Sequence, residues 1–157
     1  MSSPLLKKLN HKEQLILIIN APDEFKKEME SMIKGGNRLT SLPSTGISKI
    51  NEIEFILSFV QTSAEVEKII NSIDKKLTED AVVWFAYPKG TSKKYKAEIN
   101  RDNGWQDLGK KGFETVRSVA IDNDWTGLRF RKSEFIKTMK RSTSFAMSEK
   151  GKARTKK

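Results

Sequence analysis

Three short apolar runs constrain the fold of this chain more than any other feature of its sequence. Residues 15–19 and 81–87 are continuous and apolar, and residues 53–60 are apolar apart from Glu54 and Ser58, which is typical of strands that are covered on both faces of a sheet. None approaches the roughly 20 residues of a membrane span, and the N-terminus lacks the apolar core of a signal peptide. We therefore expect a cytoplasmic protein without membrane contact, built on a buried sheet.

Helical patterns separate these runs. Apolar residues recur at helical spacing after Pro22 and stop at Gly35 and Gly36. Thr62 and Glu65 form a capping-box pattern, and the stripe that follows it is amphipathic over residues 66–77. Strands that alternate with helices in this way predict right-handed parallel βαβ units.

The C-terminal half predicts a different pairing. A polar stretch, residues 89–103, leads to a short helix over 104–111, and strands are predicted over 113–121 and 125–131. The tight turn between these two strands makes them antiparallel. An edge strand is predicted over 38–42, and a last helix begins at Ser133. The sequence thus predicts a three-layer Rossmann-like α/β domain, with a mostly parallel sheet and an antiparallel C-terminal hairpin at one edge.

Charge divides the chain into a body and a tail. The 157 residues fit one domain, and the net charge is +10, yet the part beyond residue 131 holds nine basic and only two acidic residues. Periodicity is lost after Arg141. We expect a single domain over 1–141 and a basic, disordered tail over 142–157, which serves solubility or makes weak contact with nucleic-acid phosphates.

The composition excludes several chemistries. There is no cysteine, and His11 is the single histidine, so thiolate metal sites and cysteine nucleophiles are absent and any histidine-dependent triad must use His11. His11 lies among polar residues and is expected to face solvent. No residue is assigned a catalytic role and no cofactor is identified.

Ligands of open parallel sheets bind beyond the carboxyl ends of the strands. This rule selects four places: residues 20–23 after the first strand, residues 61–63 after the second, the loop at 87–94 after the third, and the hairpin turn at 122–125. Backbone amides, hydroxyls and lysines in the loop after the third strand suit a phosphate or carboxylate, so we predict a small anionic ligand, with a solvated surface loop as the alternative. The candidate residues are Asn20, Lys89, Gly90, Thr91, Ser92, Lys93, Asp122 and Trp125.

Other residues receive a structural interpretation. Asp122 and Asp124 lack a third ligand and are interpreted as turn formers, so no metal site is predicted. Trp84 lies within an apolar run and is assigned to the core, whereas Trp105 and Trp125 border loops and are expected to close the core.

The hairpin region also resembles a known family. The segments WFAYPKGTS at 84–92, GF at 112–113 and VAIDNDWTGLRF at 119–130 resemble a bacterial family of unknown function. Its strand ending in Pro-Lys precedes a D-x-x-W-[ST]-x-L-[RK] hairpin. The openings PLLKKL at 4–9 and NAP at 20–22 are similar to the same family. The resemblance implies an intracellular bacterial protein with a Rossmann-like core and carries no established activity.

Three functions remain open at this point. The first is a non-catalytic binding or interaction domain with an anionic-ligand rim. The second is a methyltransferase-like enzyme remnant, which the terminal antiparallel hairpin favours and the lack of a glycine-rich turn after residue 19 opposes. The third is a nucleic-acid-associated protein that acts through its tail. We expect the first, without enzymatic activity.

Overall fold

A six-stranded sheet forms the centre of residues 4–135, the part of the chain that the computed structural model describes. The strands are β1 (Ile16–Ile19), β2 (Leu39–Leu42), β3 (Ile53–Phe59), β4 (Leu77–Pro88), β5 (Phe113–Ala120) and β6 (Trp125–Lys132). Their order across the sheet is β2-β1-β3-β4-β6-β5. The first four are parallel, and β6 lies antiparallel between β4 and β5. The predicted three-layer, mostly parallel fold with an antiparallel hairpin at one edge is confirmed.

Helices cover both faces of this sheet. They are α1 (Pro4–Lys8), α2 (Lys26–Lys34), α3 (Ser63–Ile73) and α4 (Gln106–Lys110), with 3₁₀ turns at Asp23–Phe25, Ser44–Lys49, Asp74–Lys76 and Ser133–Phe135. Side chains of α1 and α2 join one apolar cluster with alternate residues of the strands. Side chains of α3 and α4 join the second cluster on the opposite face. Because successive side chains of a strand point to opposite faces, each buried strand contributes to both clusters.

The predicted capping box fixes the start of α3. The Glu65 amide donates to Thr62 Oγ1 at 3.2 Å, and the Thr62 amide donates to Glu65 Oε1 at 3.1 Å. The Gln61 amide shares the same carboxylate oxygen at 2.9 Å. These bonds satisfy amides that an α-helix leaves unpaired at its N-terminus.

The N-terminal segment contains an element that the sequence did not indicate, and it corrects the expectation for His11. α1 spans five residues, too few for a periodic signal, and buries Leu5 and Leu6 on the sheet. Asn10 adopts a left-handed conformation (φ 58°), which turns the chain back so that His11 is buried rather than facing solvent. The His11 ring packs edge-on against Phe55 at 5.2 Å between centroids, while its polar neighbours in sequence stay exposed.

The three tryptophans lie where the sequence placed them. Trp84 is fully buried, and its indole N–H donates to the Leu9 carbonyl at 2.8 Å, so it ties the N-terminal segment to β4. Trp105 and Trp125 are both buried at opposite faces of the sheet. They close the two apolar clusters, as predicted.

The C-terminal predictions fall partly beyond the described residues. Ser133–Phe135 form a 3₁₀ turn, whereas Ile136 and Met139 of the predicted last helix, the boundary at residue 141 and the basic tail lie outside residues 4–135. Within those residues, every helix is too short or too polar to cross a membrane.

Candidate functional site at the carboxyl edge of the sheet

Four connections meet at the carboxyl ends of the parallel strands. They follow β1, β3 and β4 and include the turn between β5 and β6. The Lys89 amide donates to the Asp124 carbonyl at 2.8 Å, which joins the segment after β4 to the hairpin turn. The structure therefore brings the connections to one edge, as the topology requires.

Asp122 and Asp124 have separate roles in the hairpin turn. The amides of Asp124 and Trp125 donate to Asp122 Oδ1 at 2.8 and 2.9 Å, an arrangement typical of turn-forming aspartates. Ser92 Oγ donates to Asp124 Oδ1 at 2.8 Å and accepts from the amides of Lys94 and Tyr95. The hydroxyl predicted to face an anion thus holds a carboxylate of the chain itself.

Residues 89–104, which we call the edge segment, cross the carboxyl ends of several strands. The Glu98 amide donates to the Gln61 carbonyl at 2.8 Å, and Gln61 Nε2 donates to the Lys96 carbonyl at 3.2 Å. Both bonds fasten the segment to the end of β3. The edge segment follows β4, and its Tyr95 reaches across the end of β3 to the loop after β1. The segment therefore links β4 and β1, which are not neighbours in the sheet.

Tyr95 and Glu24 form the contact between the edge segment and the loop after β1. The Tyr95 hydroxyl donates to Glu24 Oε2 at 2.8 Å, and Lys94 Nζ lies 3.6 Å from the same oxygen. The hydrogen bond to the carboxylate raises the pKa of Tyr95 to about 12, because ionisation would place two negative charges together. Desolvation alone would raise the pKa of Glu24, but Tyr95 and Lys94 outweigh it and lower that pKa.

Aromatic side chains pack against one another at the carboxyl ends of β1, β3 and β4. Phe25 contacts Phe59 at 4.9 Å between centroids, and Phe59 meets Trp125 edge-on at 5.0 Å. All three are at most 3% exposed. Tyr95 stacks on the outer side of Trp125 at 4.9 Å. We call these four residues the aromatic plug. They lie where the strand order reverses, the place at which ligands of open α/β sheets bind.

Asn20 closes the neighbouring gap between β1 and β2. It adopts a left-handed conformation (φ 56°), its amide donates to the Leu42 carbonyl at 3.0 Å, and its Oδ1 accepts from the Ser44 amide at 2.9 Å. The side chain that was predicted to face a ligand instead joins the ends of two strands.

The predicted site residues divide into two groups. Asn20, Ser92, Asp122 and Trp125 are engaged in the contacts above through their side chains, and Lys89 is engaged through its backbone amide. Gly90, Thr91 and Lys93 are exposed, and within residues 4–135 the side chains of Thr91 and Lys93 make no hydrogen bond or ion pair. The anion site built on this loop stays a prediction.

Sequence reasoning missed Glu24, Phe25, Phe59 and Tyr95 as parts of the edge. Each has an ordinary local role, in a first helical turn, at a strand end or in a polar loop. Glu24 and Tyr95 are separated by 71 residues. Only the topology brings them into contact, so no local signal could have identified the pair.

Several solved structures with a similar fold are methyltransferases, although no family model and no curated protein sequence matches the chain. A SAM-dependent methyltransferase from Aquifex aeolicus is 13% identical, with a TM-score of 0.57 over 81% of this chain and 87% of that one. A putative type 11 methyltransferase from Sulfolobus solfataricus is 11% identical, with a TM-score of 0.57 over 86% and 94%. The ribosomal protein L11 methylase from Lactobacillus delbrueckii subsp. bulgaricus is 16% identical, with a TM-score of 0.50 over 81% and 74%.

These similarities correct the function that we expected from the sequence. The chain has the fold of SAM-dependent methyltransferases, so the expectation of a non-catalytic binding or interaction domain is wrong. Among the alternatives that the sequence left open, the methyltransferase-like remnant agrees best with the fold. The first interpretation gave the missing glycine-rich turn more weight than the terminal antiparallel hairpin.

The residues at the crevice do not fit SAM. An adenosine cofactor on such a sheet needs a glycine turn that lets the backbone approach, and an acidic residue near the end of the second strand for the ribose hydroxyls. Here the turn reads Asn20-Ala21-Pro22, and residues 39–46 contain no acidic side chain. The aromatic plug lies at the ends of β1 and β3, and the Asn20–Ser44 bond joins the ends of β1 and β2.

Proposed function

We propose that this protein is a methyltransferase-like remnant, a domain that keeps the fold of SAM-dependent methyltransferases but no longer binds SAM between β1 and β3. The observation that carries the proposal is the aromatic plug. Phe25, Phe59 and Trp125 are buried in mutual contact at the reversal of strand order, and opening that space would expose large apolar surfaces to water.

The edge segment supports the same conclusion. Its bonds to Gln61, Glu24 and Asp124 come from three different loops. A segment that opens to admit a cofactor would have to break these contacts together and strip Tyr95 from Trp125. The remnant therefore has a closed carboxyl edge.

Titration of the full chain with SAM and S-adenosylhomocysteine tests this proposal. A ligand at about 100 times its Kd stabilises a fold by about 2.7 kcal/mol, which raises the Tm by several degrees in a chain of this size. We expect no such rise with either compound and no heat of binding in calorimetry. A circular dichroism spectrum of the same sample confirms that the protein is folded. A saturable rise with SAM would overturn the proposal.

Amide hydrogen exchange provides a positive readout on the same sample. The amides of Lys89 and Glu98 donate to Asp124 and Gln61, so we expect slow exchange at both in the free protein. The exposed Gly90 amide, for which no such bond is found in residues 4–135, serves as the internal control and exchanges fast. Fast exchange at Lys89 and Glu98 that SAM slows would identify the edge segment as a cofactor lid and contradict the remnant.

The location and origin of the protein belong to this proposal as well. We propose a cytoplasmic bacterial protein: the lack of an apolar run long enough for a membrane span supports the location, and the resemblance of the hairpin motif to a bacterial family supports the origin. Fractionation of cells that express the full chain tests the location, and recovery in the periplasm or in the culture medium would contradict it.

A further inference from the structure

Three arginines lie together on one face of the sheet, away from the carboxyl edge. Arg117 on β5 is directly opposite Arg129 on β6, and Arg131 lies two residues further along β6, so all three share a face. Arg129 is also opposite Trp84 in the middle of β4, on the face that α1 covers. It is four residues, or roughly 13 Å along the strand, from Trp125 at the edge.

The three guanidinium groups are compensated unequally. Arg131 donates to both carboxylate oxygens of Asp80, from Nε at 2.8 Å and from Nη2 at 2.6 Å. Glu114 lies opposite Arg131 as well. The Arg129 guanidinium makes no hydrogen bond or ion pair within residues 4–135, and its Nε is a buried atom without a partner.

This arrangement leaves a partly buried positive charge without a counterion. Desolvation by burial lowers the pKa of Arg129, and the charges of Arg131 and Arg117 lower it further against the attraction of Asp80. Like charges that are directly opposite in a sheet destabilise it, and buried donors without an acceptor are rare in folded proteins. A bound anion would remove both penalties.

We propose that Arg129 and Arg117, with Arg131 beside them, form a binding site for a phosphate group on the α1 face of the sheet. The planar guanidinium donates two parallel hydrogen bonds to oxygens of a phosphate, and Arg117 is exposed and free to close over the ligand. The Asp80 carboxylate already accepts two hydrogen bonds from Arg131. Arg131 therefore contributes less to binding of the phosphate than Arg129 and Arg117 do. The phosphate comes from a small phosphorylated compound or from a nucleic-acid backbone.

Calorimetric titration of the full chain with inorganic pyrophosphate tests the site. We expect saturable binding that Arg129→Gln weakens by about 10- to 100-fold, the effect of losing a hydrogen-bonded ionic contact. Arg101→Gln is the matched control, because Arg101 is exposed in the edge segment and its loss changes the net charge equally. The control should change the Kd less than about twofold. Absence of saturable binding, or equal weakening in both variants, would overturn the proposal.

A second variant guards against a folding defect. Arg117 is exposed, so Arg117→Gln should fold normally, and we expect it to weaken pyrophosphate binding by about threefold to tenfold. An unchanged Kd in Arg117→Gln contradicts the site even if Arg129→Gln does not fold. If a short DNA duplex competes with pyrophosphate for the site, and this competition is lost in Arg129→Gln, the phosphate comes from a nucleic-acid backbone. Pyrophosphate binding without competition identifies a small phosphorylated compound.

Discussion

Tyr95 and Glu24 form the hydrogen bond that, with the ion pair of Lys94, holds the edge segment over the loop after β1. Their hydrogen bond spans 2.8 Å, and it changes the acidity of the phenol more than that of the carboxyl group, because Tyr95 would have to ionise beside an existing negative charge. Both side chains retain contact with water, so the bond contributes to the position of the segment more than to the free energy of unfolding.

Removing the charge of Glu24 should restore the acidity of Tyr95. In a Tyr87→Phe background, which leaves Tyr95 as the single tyrosine, we expect the Glu24→Gln variant to lower the pKa of Tyr95 from about 12 toward its usual 10.0. Ultraviolet titration of the phenolate measures this change. Glu28→Gln is the control, since it removes an equal charge from α2, and it should leave the pKa of Tyr95 near 12. If the pKa of Tyr95 is the same in the Glu24→Gln and Glu28→Gln variants, Tyr95 does not contact Glu24 in solution.

The same shift sets a pH window for stability. Because the pKa of Tyr95 is raised in the folded state, its contribution is fully present below the unfolded value of 10.0 and is lost as pH rises toward about 12. We therefore expect the free energy of unfolding of the Tyr87→Phe protein to fall more steeply across this window than that of the Tyr87→Phe, Tyr95→Phe protein.

At the scale of elements, the packing of β6 against β4 requires a residue without a side chain at Gly127. Gly127 lies opposite Ala86, and a Cβ atom there would be 3.3 Å from Trp84 Cε3 and 3.2 Å from Ile121 Cδ1. Trp84 is fully buried and bonded to Leu9, so its ring has no room to move. The glycine in the hairpin motif therefore has a packing role, in a strand that carries no positive φ at this position.

Adding one methyl group at this position should destabilise the sheet. We expect Gly127→Ala to lower the free energy of unfolding by about 1–3 kcal/mol, the usual effect of overpacking a filled core. Gly90→Ala is the matched control, because a Cβ atom at Gly90 meets nothing within 4 Å, and its effect should stay within about 0.5 kcal/mol. Urea unfolding of the three proteins measures both values. Equal stability of Gly127→Ala and the unmodified chain would show that Trp84 can shift.

The whole molecule combines a nearly balanced part, residues 1–131, with a strongly basic C-terminal sequence that begins at Lys132. Residues 142–157 hold five basic residues and one acidic residue of a chain whose net charge is +10. Such a distribution attracts polyanions through phosphate contacts that do not depend on base sequence.

Salt dependence separates this attraction from the arginine site on the sheet. We expect log affinity for duplex DNA to fall steeply with log salt in the full chain, and less steeply when Lys150, Lys152, Arg154, Lys156 and Lys157 are replaced by glutamine. Each lost phosphate contact reduces the slope by about 0.9. Arg129→Gln should change the slope by at most about 1. An unchanged slope in the glutamine variant would show that the tail does not contact nucleic-acid phosphates.

Several elements of this fold could be predicted from the sequence alone. The apolar runs at 15–19, 53–60 and 81–87 predicted three buried strands, and the capping box at Thr62 predicted the start of a helix, because these features depend on residues close together in the chain. The hairpin turn at Asp122 was equally local. Topology rules then predicted parallel βαβ units with an antiparallel pair at one edge, whereas the order of the strands came from the structure.

The tertiary structure alone decided what occupies the carboxyl edge. Asn20 and Ser92 have the donors and acceptors of a ligand site, but the fold gives those atoms to Ser44 and Asp124, which lie 24 and 32 residues away. The burial of His11, the aromatic plug and the unequal compensation of the three arginines likewise depend on register and on crossings between distant segments. Local sequence determines which residues form a strand or a helix, whereas a polar atom's partner depends on which distant segment the fold packs beside it.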